Sequence, residues 1–189
     1  MSLIFATIAV IVVATLVDQS HAYWRLPGQN SREILRLTAM LGIVALGATV
    51  VIVSGGIDLS AGSVMAFGGA ICASIIVALV DKNARGLPVT SDVPLWIISL
   101  ALAGTLLVGF LIGTFHAWLI TVIGLPPFVA TLASLVGLRS LGRVIVQDVN
   151  AAVSATGSST DIQIADARFR AMGEVWWIPL LIFLVLSAL

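Results

Sequence analysis

Nine basic and nine acidic side chains among 189 residues leave the chain without net charge, and 60% of its residues are hydrophobic while 10% are charged. Its mean hydropathy is +1.16. Soluble domains carry about 25% charged residues, so this composition excludes a water-soluble globular domain, and it offers no basic surface to nucleic acid. Cys72 is the only cysteine, which excludes an intrachain disulfide.

The apolar residues occur in blocks whose length suits a lipid bilayer, where a spanning helix needs about 20 residues. We predict about six membrane segments, at Leu3–Val17, Leu37–Val53, Val64–Val80, Leu95–Ile123, Phe128–Val146 and Trp176–Leu189. They should be helical, because unpaired backbone groups are costly in lipid. No Lys or Arg precedes the first block, which we therefore interpret as a retained span rather than a signal peptide. The expected fold class is an all-α, polytopic transmembrane helix bundle, with residues 1–189 forming a single domain.

The stretch Gly55–Ser63 (GGIDLSAGS) interrupts two apolar blocks with glycines, a carboxylate and hydroxyls, and predicts a broken helix. Gly55 and Gly56 permit backbone conformations that end a helix. Asp58 or Ser60 can cap the following helix by accepting hydrogen bonds from its free N–H groups. Irregular backbone at membrane depth is tolerated where it is buried in protein or faces water, and transporters build solute sites from discontinuous helices. The alternative is an ordinary turn at the membrane surface, with Asp58 as a structural cap.

A second turn precedes the fifth block. Gly124, Pro126 and Pro127 predict a turn followed by a helix start, because proline suits the first turn of a helix and not its interior. A plain helix start is also the simpler interpretation of these residues. Phe128 and Thr131 then lie about one helical turn apart, so both could face a pathway.

Ionisable residues interrupt the fourth and fifth blocks. Arg139 and Arg143 lie four residues apart on one helix face, where they indicate either an interior function or side chains that reach back to the membrane interface. His116 lies deep in the fourth block without an acidic neighbour at helical spacing. We therefore expect it to be buried and hydrogen-bonded rather than to relay protons.

Residues 54–63 (SGGIDLSAGS) resemble the signature of permease subunits of bacterial ABC importers for ribose and related monosaccharides. Residues 124–132 (GLPPFVATL) are similar to that family's Pro-Pro-Phe-(Ile/Val)-x-Thr-Leu segment, and Arg139 begins a stretch that stands in place of the family's Arg-Gly-Leu. Order and spacing agree over nearly the whole chain. The family's Gly-x-x-Asn-Gly-x-Leu pattern is met more loosely, because His116-Ala117 stand where Asn-Gly is expected.

The resemblance implies a permease in the bacterial inner membrane that works by alternating access. A separate ATPase would rock two permease copies, and a periplasmic substrate-binding protein would deliver the solute. The candidate residues along the solute pathway are Gly55, Gly56, Asp58, Ser60, Ser63, Phe128, Thr131 and Arg139, with Gly62, Gly124, Pro126 and Pro127 at helix breaks or turns. No catalytic residue, metal site or cofactor is expected, because the sequence contains no Walker motif or metal-ligand set.

Several alternatives stay open on the sequence. Family members continue beyond the position of Leu189, so we expect the chain to lack the family's C-terminal half, as a fragment or a natural truncation. Basic residues favour a cytoplasmic location for the first, third and fifth connections, whereas the family layout places them outside. The rival functions are a secondary-active solute carrier, with Asp58 as its intramembrane acid, and a truncated membrane scaffold that transports nothing. The identity of the solute is not determined.

Overall fold

The computed structural model describes residues 2–18, 26–153 and 162–188, and every regular element in those ranges is a helix. In chain order the helices are α1 (Ser2–Val17), α2 (Pro27–Val53), α3 (Ala61–Leu79), α4 (Leu95–Thr121), α5 (Pro127–Val153), α6 (Ala167–Glu174) and α7 (Trp177–Ser187). The predicted all-α class is confirmed. An isolated β-bridge between Lys82 and Pro88 shapes the connection between α3 and α4.

Four of these helices are long and apolar enough to cross a membrane. They are α2, α3, α4 and α5, and α6 with α7 would make a fifth span if the two are counted together. The first apolar block forms a shorter helix, α1, of 16 residues. By length and composition the described residues thus give four or five spans, close to the six segments predicted from the apolar blocks.

The boundaries of the long helices follow the glycines and prolines. Residues 54–60 between α2 and α3 are not helical, so the predicted break is confirmed, whereas Gly62 and Ser63, which were expected at the break, lie in the first turn of α3. Helix α5 begins at Pro127, as the proline pair predicts. Helix α2 begins at Pro27, ten residues before the apolar block itself, because proline's fixed φ suits the first helical position.

The described residues fall into two compact units. The first comprises those within Met1–Ile43 and Val175–Leu189, and the second those within Val44–Glu174. In the first unit α7 packs closely on α2, since a Cβ added at Gly42 would lie 2.6 Å from the ring of Phe183.

In the second unit α3 is the central helix and packs against both α4 and α5. Its contact with α4 is apolar: Cys72 and Ile76 form a buried cluster with Val93, Ile97 and Ala101. The lone thiol therefore packs like a small hydrophobic side chain.

Glycines set the close approaches between these helices. A Cβ at Gly68 would lie 3.1 Å from the methyl group of Thr105, and one at Gly104 would lie 2.9 Å from the end of Ile75. On the other face, a Cβ at Gly142 would meet the side chain of Phe67 at 3.5 Å. Small residues let membrane helices approach this closely, which increases their van der Waals contact.

Asp166 joins two connections of the second unit. It is 1% exposed, and its carboxylate accepts hydrogen bonds from the backbone N–H groups of Val93 at 2.9 Å, Arg168 at 2.9 Å and Phe169 at 3.0 Å. The hydrogen bond from the Arg168 side chain at 3.0 Å, with those from the backbone, holds the pKa of Asp166 well below its usual range. The residue thereby fixes the start of α6 to the segment that leads into α4.

Candidate functional site

The break between α2 and α3 is built on two consecutive glycines. Gly55 has a φ of +83°, its N–H donates to Ile52 O at 3.0 Å, and the N–H of Gly56 donates to Val51 O at 3.0 Å. This pair of hydrogen bonds is the Schellman motif, which ends a helix with glycine in the left-handed conformation. Gly56 is also confined, because a Cβ there would lie 3.2 Å from the side chain of Val51.

Asp58 organises the backbone after the break. Its Oδ1 accepts a hydrogen bond from the backbone N–H of Ser60 at 2.7 Å and another from the Ser60 hydroxyl at 2.6 Å. Ser60 is fully buried and stands at the N-cap position of α3 without making a side-chain cap. Of the two candidate caps, Ser60 does not cap α3, since its hydroxyl donates to Asp58, and Asp58 accepts from the backbone N–H of Ser60, the residue before the helix. The Oδ2 atom of Asp58 has no hydrogen-bond partner among the described residues.

A cavity of about 410 Å³ opens beside the break, between the end of α2, the C-terminal part of α4 and the start of α5. Of the residues predicted from the sequence, those that line it are Gly55, Gly56, Asp58, Pro127 and Thr131. Thr131 is held there by hydrogen bonds from its hydroxyl to Pro127 O at 2.9 Å and to Ile57 O at 3.3 Å. Asp58 is the one carboxylate in the lining.

A smaller cavity of about 200 Å³ lies between α3 and α5, where Gly62, Ser63 and Arg139 meet. Ser63 is 2% exposed, and its hydroxyl donates to Ser60 O at 2.7 Å and to Ser134 O at 3.2 Å. Arg139 is exposed and forms no ion pair with the described residues. The structure thus separates Ser63 and Arg139 from the group around Asp58.

The remaining predicted residues lie outside both linings. Phe128 is 49% exposed at the start of α5, one turn from Thr131 but away from the cavity that Thr131 lines. Gly124 has a φ of +79° and, with Pro126, forms the turn between α4 and α5. These residues shape the chain at the start of α5, and their contribution to a pathway stays a prediction.

The sequence missed part of the cavity. His116 lines it and is 9% exposed, and its Nε2 lies 2.6 Å from the Ser134 hydroxyl. The expectation that His116 is buried and hydrogen-bonded is confirmed. Ser134 lies eighteen residues further along the chain, on another helix, so no helical spacing indicates the pair. Ser54 and Thr121 also line the cavity.

The lining of the larger cavity contains few polar groups, and these are of different kinds. Within the described ranges no group of three His, Cys, Asp or Glu side chains is placed to hold a metal ion. The larger cavity offers one carboxylate, one imidazole and three hydroxyls among apolar side chains and backbone. Such a lining, mostly apolar with a few placed polar groups, is typical of sites for small molecules.

Comparison with known proteins identifies relatives that are named as permease proteins. The chain is 34% identical over 160 residues to the galactofuranose transporter permease protein YtfT of Escherichia coli K12, covering 80% of this chain and 41% of that protein. It is 32% identical over 164 residues to the xylose transport system permease protein XylH of the same strain, covering 82% of this chain and 37% of that protein. It is 37% identical over 149 residues to the autoinducer 2 import system permease protein LsrD of Enterobacter sp. 638, covering 78% and 40%.

The chain thus spans about two fifths of the length of these relatives. No solved structure matches it. Together with the helices of membrane length, the similarity to permeases of E. coli places the chain in the bacterial inner membrane, as a multi-pass protein. Residues 30–189 match the family model described as the permease component of branched-chain amino acid transport systems. This match covers most of the chain, which therefore belongs to that permease family.

Proposed function

We propose that this chain forms part of the solute pathway of an ATP-driven importer for monosaccharides, and that the cavity beside the α2–α3 break is a segment of that pathway. The observation that carries the proposal is the position of Asp58, whose carboxylate lines a cavity of about 410 Å³ at a break between two membrane-length helices. Such a volume is within the roughly 300–1,000 Å³ of small-molecule sites. The relatives named for xylose and galactofuranose transport support a sugar as the solute.

The chemistry of the lining suits a polyhydroxylated, uncharged solute. Oδ1 of Asp58 is engaged by Ser60, which leaves Oδ2 to accept a hydrogen bond from a solute hydroxyl. The glycine pair leaves the backbone of the break without side chains, so that a solute can approach it closely. Hydrogen bonds to a charged group are worth about 1.5–3 kcal/mol, which is enough for Asp58 to contribute to solute passage without trapping the solute.

The energy and the delivery of the solute would come from partners. In this proposal the chain is not an enzyme: a separate ATPase subunit hydrolyses ATP, a periplasmic substrate-binding protein delivers the sugar, and a second permease copy completes the pathway. The resemblance of residues 54–63 and 124–132 to ABC importer permeases supports these partners, as does the name of the autoinducer 2 import system permease among the relatives. Alternating access, driven by the ATPase, would then open the cavity to each side of the membrane in turn.

The test is uptake of radiolabelled D-xylose, D-ribose and D-galactose by cells whose chromosomal permease gene carries the substitution Asp58→Ala. We expect uptake to be abolished while the amount of permease in the membrane is unchanged. Asp58→Asn removes the charge but retains an oxygen that can accept the hydrogen bonds from Ser60. Comparison with Asp58→Ala therefore separates the effect of losing the charge from the effect of losing these hydrogen bonds. Asp81→Ala removes an exposed carboxylate at the end of α3 and serves as the matched control. Uptake by the Asp58→Ala strain at the wild-type rate would contradict the proposal.

The same cells distinguish the two rival functions. Right-side-out vesicles loaded with ATP and supplied with the substrate-binding protein should import the sugar in the presence of a protonophore if ATP drives transport. Loss of uptake on adding the protonophore would instead support a secondary carrier. A membrane scaffold predicts that deletion of the gene leaves the uptake of all three sugars unchanged.

A further inference from the structure

The polar side chains around the larger cavity differ in what they can still offer to a solute. Three hydroxyls in the lining already donate to backbone carbonyls of their own helices. Ser54 donates to Val51 O at 2.8 Å, Thr121 to Ala117 O at 2.7 Å, and Thr131 to Pro127 O at 2.9 Å. Each hydroxyl has a single proton to give, so these side chains retain only lone pairs for a ligand. Asp58 as a carboxylate also only accepts.

His116 is the exception, and its neighbour Ser134 determines why. The Ser134 hydroxyl has one hydrogen-bond partner among the described residues, the Nε2 atom of His116 at 2.6 Å. A hydroxyl proton in this partly buried position without an acceptor would be costly, so the proton of Ser134 is donated to Nε2. A neutral imidazole that accepts at Nε2 carries its own proton on Nδ1. Within the described ranges no acceptor binds that Nδ1–H group.

We infer that His116 is a specificity-determining residue of the solute pathway, whose Nδ1–H donates to an oxygen of the solute. Among the side chains that line the cavity it is the single donor not already engaged by the described residues, and Asp58 is the matching acceptor. The pair selects an uncharged solute that presents both an acceptor oxygen and a donor hydroxyl, as a sugar does. Ser134 is a positioning residue that fixes the tautomer. This inference rests on the function proposed above.

A side chain can replace His116 only if it places a donor N–H group at the position of Nδ1. An asparagine amide lies near the position of Nδ1, whereas a glutamine amide reaches the position of Nε2. His116→Asn should therefore retain the KM for D-xylose within about threefold, while His116→Gln and His116→Leu should raise it about tenfold, the size of one hydrogen bond. The maximal rate should change less than KM, because the lost contact is made to the bound solute.

Monodeoxy analogues of D-xylose identify the contact itself. In the wild-type strain, the analogue that lacks the oxygen bound by His116 should compete with labelled D-xylose about tenfold more weakly than the parent sugar. In the His116→Leu strain that particular difference should disappear, while the differences for the other analogues persist. If His116→Leu discriminates every analogue to the same extent as the wild-type strain, the inference is overturned, although the proposed function stands. Wild-type uptake by Asp58→Ala would instead overturn the proposed function.

Carbethoxylation by diethyl pyrocarbonate tests the tautomer without relying on transport. The imidazole nitrogen that carries a lone pair attacks a carbonyl carbon of the reagent and becomes ethoxycarbonylated, with release of carbon dioxide and ethanol. Peptide mass spectrometry compares His116 with His21, the other histidine of the chain. His116 should react slowly in wild-type membranes and several times faster in Ser134→Ala, where Nε2 loses its partner, while Ser134→Thr restores slow reaction. Equally fast reaction in the wild type and in Ser134→Ala would place the lone pair toward the cavity, and the inference would fail.

Discussion

The glycine that ends α2 offers a direct test of how the break is held. Gly55 has a φ of +83°, and space for a side chain is open there, since a Cβ would meet no atom within 4 Å. Gly47 lies within α2 with the same open surroundings and an ordinary helical backbone. Substitution of either glycine by alanine restricts the unfolded chain equally, so that contribution cancels when the two variants are compared. The remaining difference is the strain of a Cβ in the left-handed region, about 1–2 kcal/mol per residue.

We therefore expect Gly55→Ala to have a free energy of unfolding about 1–2 kcal/mol lower than Gly47→Ala. The measurement is helicity by circular dichroism during titration of the purified permease in mixed micelles with sodium dodecyl sulfate. Gly55→Asn should recover part of the loss, because asparagine enters the left-handed region more readily than alanine. If Gly55→Ala and Gly47→Ala unfold at the same detergent fraction, the left-handed glycine does not hold the break, and the reasoning is refuted.

Two further predictions concern packing and charge. Because a Cβ at Gly104 would lie 2.9 Å from Cδ1 of Ile75, Gly104→Ala should destabilise the protein and Ile75→Val, which removes that atom, should relieve the clash; additive effects in a double-mutant cycle of thermal midpoints would contradict the contact. The lowered pKa of Asp166 means that its stabilisation is complete above its unfolded pKa of about 3.9 and is lost as pH falls through the folded value. The difference in thermal midpoint between wild type and Asp166→Asn should therefore shrink below about pH 4, and a constant difference down to pH 3 would show that the Asp166 carboxylate is not selectively stabilised in the folded chain.

The helix break could be predicted from the sequence more fully than the candidate site. Glycine and proline act on their own backbone, so the interruption at Gly55 and the start of α5 at Pro127 could be predicted from local sequence. The sequence predicts that Ser60 accepts hydrogen bonds as a cap, but its hydroxyl donates to Asp58, because a serine hydroxyl can do either and only the geometry decides which. The contact between His116 and Ser134 joins two helices, and helical periodicity carries no information about it.

The helix–helix contacts at glycines are another feature that the sequence alone does not identify. The presence of a glycine does not by itself mark a close approach, since at Gly69, Gly109 and Gly113 a Cβ would meet no atom within 4 Å of the described structure. The close approaches are at Gly68, Gly104 and Gly142 instead, where the sequence spacing has no special pattern. Which face of a helix meets its neighbour depends on the rotation of both helices, and a single sequence does not determine it.

The sequence by itself determined that the chain lies in a membrane, that it is helical, and where its helices break, because hydrophobicity and backbone restriction are properties of the residues themselves. Only the tertiary structure decided which polar residues share a cavity. It placed Asp58 with His116 and Thr131, and it placed Ser63 with Arg139 in a separate, smaller space. The reason is physical: in lipid a polar side chain must find its partner within the protein, and that partner is chosen by how the helices pack against one another.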